Sequence, residues 1–103
     1  MKFKFQLPRT LEEGLAGQSP IREPMLFIFP GRSQVRTMWM KGMLEPIDIV
    51  WLNTKKEIVH IHHRVPAIEG PTYSSGVPVK YAIEFPAGHA KKYKFASGDV
   101  FEF

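Results

Sequence analysis

The chain of 103 residues contains no cysteine, which excludes disulfide staples and thiolate metal sites. That absence fits a reducing compartment. No stretch approaches the roughly 18 consecutive apolar residues of a membrane-spanning helix. The opening residues Met1-Lys-Phe-Lys-Phe-Gln-Leu-Pro8 alternate polar with apolar and lack the continuous apolar stretch of a signal peptide. A cytoplasmic protein is the expectation, with the mature part of an exported precursor as the alternative. Concentrated charge is also missing. The net charge is +4, but only Lys91-Lys92-Tyr93-Lys94 forms a cluster, so the basic stripe of a nucleic-acid binder is not there. No internal repeat, Walker loop, dinucleotide fingerprint, nucleophile elbow or zinc-protease spacing occurs.

What is present is a core. Hydrophobic residues make up 44% of the chain, with eight phenylalanines, three tyrosines and two tryptophans, enough for one domain spanning 1–103. Both tryptophans and three of the five methionines fall within residues 37–52. Gly42 and Pro46 interrupt that stretch, which predicts strand, tight connection, strand: a central hairpin with Lys41, Glu45 and Asp48 around its mouth.

In chain order, Phe3, Phe5 and Leu7 alternate with Lys2, Lys4 and Gln6, the pattern of a half-buried edge strand ended by Pro8. Thr10-Leu-Glu-Glu13 has capping-box spacing and predicts a short helix that stops between Gly14 and Gly17. Met25-Leu-Phe-Ile-Phe29 reads as a strand buried on both faces. Ile47 to Leu52 and Glu57 to His63 flank the polar turn Asn53-Thr-Lys-Lys56 and should pair antiparallel, with His60 and His62 outward. Residues 65–79 carry three prolines and two glycines and read as one long loop. Lys80 to Phe85 is a further strand, and Pro86-Ala-Gly88 leads into a second short helix. Val100 to Phe103 closes the chain as a strand. These elements predict a mainly β fold, a small barrel or rolled antiparallel sheet of six or seven short strands with two short helices.

Several of these pieces, taken together, resemble domain-of-unknown-function family 192. They are Gly14-Leu15, Met25-Leu-Phe-Ile-Phe29, Thr37-Met-Trp-Met-Lys41, Pro46-Ile-Asp-Ile49, Ile58-Val59, Tyr81-Ala-Ile-Glu-Phe-Pro-Ala-Gly88 and Gly98-Asp99-Val100. Their order along the chain matches the family's. The resemblance implies a compact β-rich fold and no established biochemical role. Two positions depart from the family pattern: Gly42 stands where Asn is usual after Trp-Met-Lys, and Ala16 where Met is usual after Gly-Leu.

Apart from Thr37 and Asp99, which lies in a turn signal, the polar residues within the matching pieces are Lys41, Asp48 and Glu84. Asp48 alternates with Ile47 and Ile49 and needs a partner if buried, because an unpaired buried carboxylate is costly. Lys41 across the turn could supply one. Two readings stand side by side: an ion pair that locks the hairpin, or a mouth that binds a small polar or anionic ligand. In the second, Trp39 stacks, Lys41 pairs an anion, and Asp48 and Glu84 accept hydrogen bonds. His60 and His62, two apart on one strand, project from the same face, but a metal needs a third ligand, so neither metal nor cofactor is expected. Ser74-Ser75-Gly76 has no histidine tied to it in sequence. A binding or accessory domain is therefore the expectation. A small hydrolase using Asp48 or Glu84 as general base and a weak single-stranded nucleic-acid binder are the rivals.

Overall fold

A computed structural model describes all residues, 1–103. Six strands and one short helix follow in order: β1 (Met25–Ile28), β2 (Thr37–Trp39), β3 (Ile47–Leu52), β4 (Ile58–Val65), β5 (Thr72–Ser74), β6 (Tyr81–Pro86) and α1 (His89–Lys92). The main sheet has the order β1-β6-β3-β4, every neighbouring pair antiparallel, and β2 pairs with β5 in a separate two-stranded sheet. The fold is mainly β, as expected. The ladders leave β1 and β4 as edges of the main sheet and do not close into a barrel. No helix is long and apolar enough to cross a membrane.

β3 explains the architecture. All six of its side chains are buried, so it reads as an uninterrupted apolar run apart from Asp48. Ile47, Ile49 and Trp51 enter a core on one face of the sheet with Leu15, Phe27, Phe29 and Met40. Val50 and Leu52 enter a second core on the other face with Phe85, Ala90, Phe95 and Phe101. A strand covered on both faces must be apolar at nearly every position, and alternation then decides which core each residue serves.

The expected central hairpin is a correction. β2 does not return against β3, because β3 already has β4 on one side and β6 on the other, leaving its backbone donors and acceptors no free edge. β2 instead finds β5, in register Thr37↔Ser74 to Trp39↔Thr72, inside the segment read as a loop. The N-terminal alternation yields isolated bridges, Lys2↔Glu102 and Gln6↔Met25, rather than a ladder, although Phe3 and Phe5 do pack on the second core. The cap at Thr10 forms, its Oγ1 accepting from the Glu13 amide at 3.1 Å. No helix follows it, because Gly14 and Gly17 take positive φ of 51° and 81° and turn the chain back. One helix is therefore present instead of two, and Val100 to Phe103 contributes bridges rather than a strand.

Candidate functional site

A cleft of about 510 Å³ opens between the 10–17 turn, the β2 segment and the first core face of the main sheet. Its floor is built on the buried side chains of Leu15, Phe27 and Phe29, and the apolar surface it leaves exposed comes from Leu11, Val35 and Trp39 at the rim. Into this floor projects Glu84. It sits on β6 in the cross-strand row Met25–Glu84–Ile49, on the opposite face from Phe85 and Ile83. Glu84 is 4% exposed, and its Oε1 has no hydrogen-bond partner. Burial pushes its carboxyl up to about 7, while the Leu15 backbone amide acts in the opposite direction. Gly14 is what lets the turn approach: a Cβ there would lie 3.2 Å from Glu84 Oε1 and 3.1 Å from Phe27 Cζ, at a φ of +51°.

The facing wall is cationic. Trp39 is half exposed at the mouth, its indole Nε1 donating to the Glu12 carbonyl at 3.2 Å and so tying β2 to the turn. Lys41 Nζ lies 5.5 Å from the centre of the Trp39 ring. Arg36, just before β2, stands over the Phe29 ring at 5.0 Å and donates from Nη2 to the Pro30 carbonyl at 2.8 Å, while its buried Nε has no partner. Its backbone amide is held by the Ser75 hydroxyl, which in turn donates to the Val77 carbonyl. Ser75 thus anchors the cationic wall and is itself 2% exposed. Neither Arg36 nor Lys41 forms an ion pair with Glu84; the single salt bridge in the molecule joins Lys4 and Glu23 at its surface.

Of the residues expected at a site, Trp39, Lys41 and Glu84 line this cleft together. Asp48 does not join them. It projects from the other face of the sheet, where Oδ1 accepts from the Arg64 amide and Oδ2 from the Ala90 amide, each at 2.8 Å. The expected Lys41–Asp48 ion pair is therefore a correction: Asp48 finds its compensation in backbone donors, at the β3–β4 bulge and in the first turn of α1. His60 and His62 stand with ring centres 4.5 Å apart, and no third His, Cys or carboxylate joins them in a metal-holding group. His62 is turned partly inward instead of outward: its Nδ1 accepts from Trp51 Nε1 at 3.0 Å, and burial lowers its pKa, with His60 adding to the effect. Arg36 and Glu12 were not legible as site residues, since only the pairing of β2 with β5 and the fold of the turn bring them to the cleft.

Among solved structures, a protein of unknown function from Novosphingobium aromaticivorans superposes with a TM-score of 0.90 over 98% of this chain and 75% of its own, at 22% identity. A Sinorhizobium meliloti protein, described as "a putative transcription regulator", superposes with a TM-score of 0.83 at 30% identity, over 94% of this chain and 77% of its own. No curated protein matches the chain. Residues 6–103 match the family DUF192, described as Uncharacterized ACR, and the sheet order, the two-sided core and the turn at Gly14 are thus found in a chain that belongs to the DUF192 family.

Proposed function

We propose that this domain is a binding module whose cleft takes a small molecule with polar ends and an apolar body. The observation that carries the reading is Glu84 Oε1, an unpartnered acceptor buried at the floor of an open cleft. A desolvated carboxyl oxygen without a partner costs stability, and a ligand that donates to it recovers part of that cost. The cleft volume falls within the range of small-ligand sites, and its mixture of apolar floor and a few convergent polar groups is what such sites use. Trp39 and Lys41 form the mouth and Glu84 the inner contact. Asp48 is assigned to the scaffold, because both its oxygens are engaged on the far face.

A hydrolytic reading has one observation in its favour: a carboxyl raised to about 7 suits a general base near neutrality. No serine or histidine lines the cleft with Glu84, and its hydroxyl residues, Thr37 and Thr72, have no imidazole base in the lining, so the simplest nucleophile is a water.

A thermal-shift screen across metabolite-sized compounds tests the binding reading. The expected result is a compound that raises the melting temperature of the wild type and of Asp48→Asn but not of Glu84→Ala. A broad screen in which no compound distinguishes wild type from Glu84→Ala overturns it.

A further inference from the structure

The charges around the cleft are not mixed at random. Acidic residues come from one side: Glu12 and Glu13 on the turn and Glu84 on the floor beneath it. Guanidinium and ammonium groups come from the other, Arg36 and Lys41 along the segment that contains β2. Each side also keeps one buried atom unsatisfied, an acceptor at Glu84 Oε1 and a donor at Arg36 Nε. The two halves do not neutralise each other by direct pairing. A bound molecule that answers both must donate at one end and accept at the other. Between those ends it must present apolar surface to Leu11, Val35 and Trp39.

We infer that the ligand is an apolar zwitterion of amino-acid or dipeptide size, its ammonium directed to Glu84 and its carboxylate to Arg36 and Lys41. This rests on the small-molecule reading of the same cleft and narrows it to one chemical class. An ammonium is favoured over a neutral donor, because it can compensate the charge of a desolvated carboxylate as well as its hydrogen-bonding need. A carboxylate suits Arg36, whose planar fork has Nη2 engaged with Pro30 and a buried, unpartnered Nε beside it. The exposed apolar lining favours a hydrophobic side chain; a small polar amino acid would leave Leu11, Val35 and Trp39 uncovered.

Calorimetric titration with four probes tests the assignment: tryptophan, the dipeptide leucyl-phenylalanine, tryptamine (which lacks the carboxylate) and indole-3-propionate (which lacks the ammonium). At least one zwitterion is expected to bind about tenfold or more tightly than tryptamine and indole-3-propionate, since each lost charged contact leaves its protein partner unpaired. Glu84→Gln should weaken the zwitterion and tryptamine while sparing indole-3-propionate. Lys41→Gln, an exposed substitution that preserves folding, should do the reverse. Equal affinity of the two half-molecules and the zwitterions, or loss of all probes alike in both variants, overturns the zwitterion class. If no probe binds while the broad screen finds another compound dependent on Glu84, the class is wrong and the cleft reading stands. If neither finds a ligand, both fall.

Discussion

At the level of single residues, Glu84 ties the chain's stability to pH. A carboxyl raised in the folded state holds its proton more tightly there than in the unfolded chain, so folding is favoured while the proton is bound. As pH rises from the ordinary glutamate value of 4.5 through about 7, the unfolded chain has lost its proton and the native state must give one up, so stability falls. The full span corresponds to about 3 kcal/mol, from roughly 1.4 kcal/mol per pH unit. Glu84→Gln removes this dependence, and urea denaturation between pH 4.5 and 8 should show its stability overtaking that of wild type toward the alkaline end. Parallel profiles would contradict the burial of this carboxyl. Gly14 is the residue that permits this arrangement. Gly14→Ala places a methyl group against Phe27 and Glu84 at a left-handed φ and should cost about 1–3 kcal/mol, read from the same denaturation curves. Little or no loss would mean that the turn can withdraw from Glu84.

At the level of elements, Asp48 shows how one side chain fixes several of them. Its two oxygens join the backbone of Arg64, which has a positive φ of 49° at the β4 bulge, to the start of α1. Gly88, before α1, lets Arg64 pass: a Cβ there would lie 3.0 Å from Arg64 Nη2. Asp48→Asn turns one acceptor into a donor facing an N–H and should destabilise by about 1–3 kcal/mol. Ligand affinity at the cleft should stay unchanged, because the amide lies on the opposite face of the sheet; a matching loss of affinity would return Asp48 to the site. Alternation made this face legible in sequence, since Ile47 and Ile49 had to oppose Asp48, and it made β4 and β6 legible too, while β1 was legible as a continuous apolar run. The partners were not. Both Lys41 and a backbone amide can satisfy a carboxylate, and spacing along the chain does not choose between them. The pairing of β2 with β5 was hidden for a similar reason: three-residue strands carry almost no periodic signal, and Pro66, Pro71 and Pro78 marked the segment around β5 as loop. Gly42 and Ala16, the two departures from the family pattern, turn out to be neighbours. A Cβ on Gly42 would lie 3.2 Å from that of Ala16, and the Gly42 carbonyl accepts from the Gly17 amide. With a φ of +74°, position 42 accommodates Gly and Asn more readily than other residues, which is a backbone reason for Gly where the resemblance implies Asn.

At the level of the whole molecule, two cores share a single sheet, and β3 and β6 contribute side chains to both. The cleft is built on one core, while the chain's two ends close the other. Phe101 is 1% exposed in that second core, Phe3 packs beside it with ring centres 6.0 Å apart, and the Glu102 amide donates to the Met1 carbonyl at 2.7 Å. If the shared strands make the molecule one cooperative unit, damage to the second core must be felt at the cleft's side as well. The tryptophans provide the means to see it, because Trp51 lies in the first core and Trp39 at the cleft mouth. Phe101→Ala should cost about 3–5 kcal/mol, as expected for truncating a buried ring. Its unfolding midpoint in urea should shift by the same amount whether followed by tryptophan fluorescence or by far-ultraviolet circular dichroism. If the fluorescence midpoint stays at the wild-type value while the dichroism midpoint falls, the two cores melt separately and the sheet does not couple them. Coincident shifts would mean that the cleft's geometry is held by the whole domain, so that a stabilising ligand bound on one face protects the termini packed on the other.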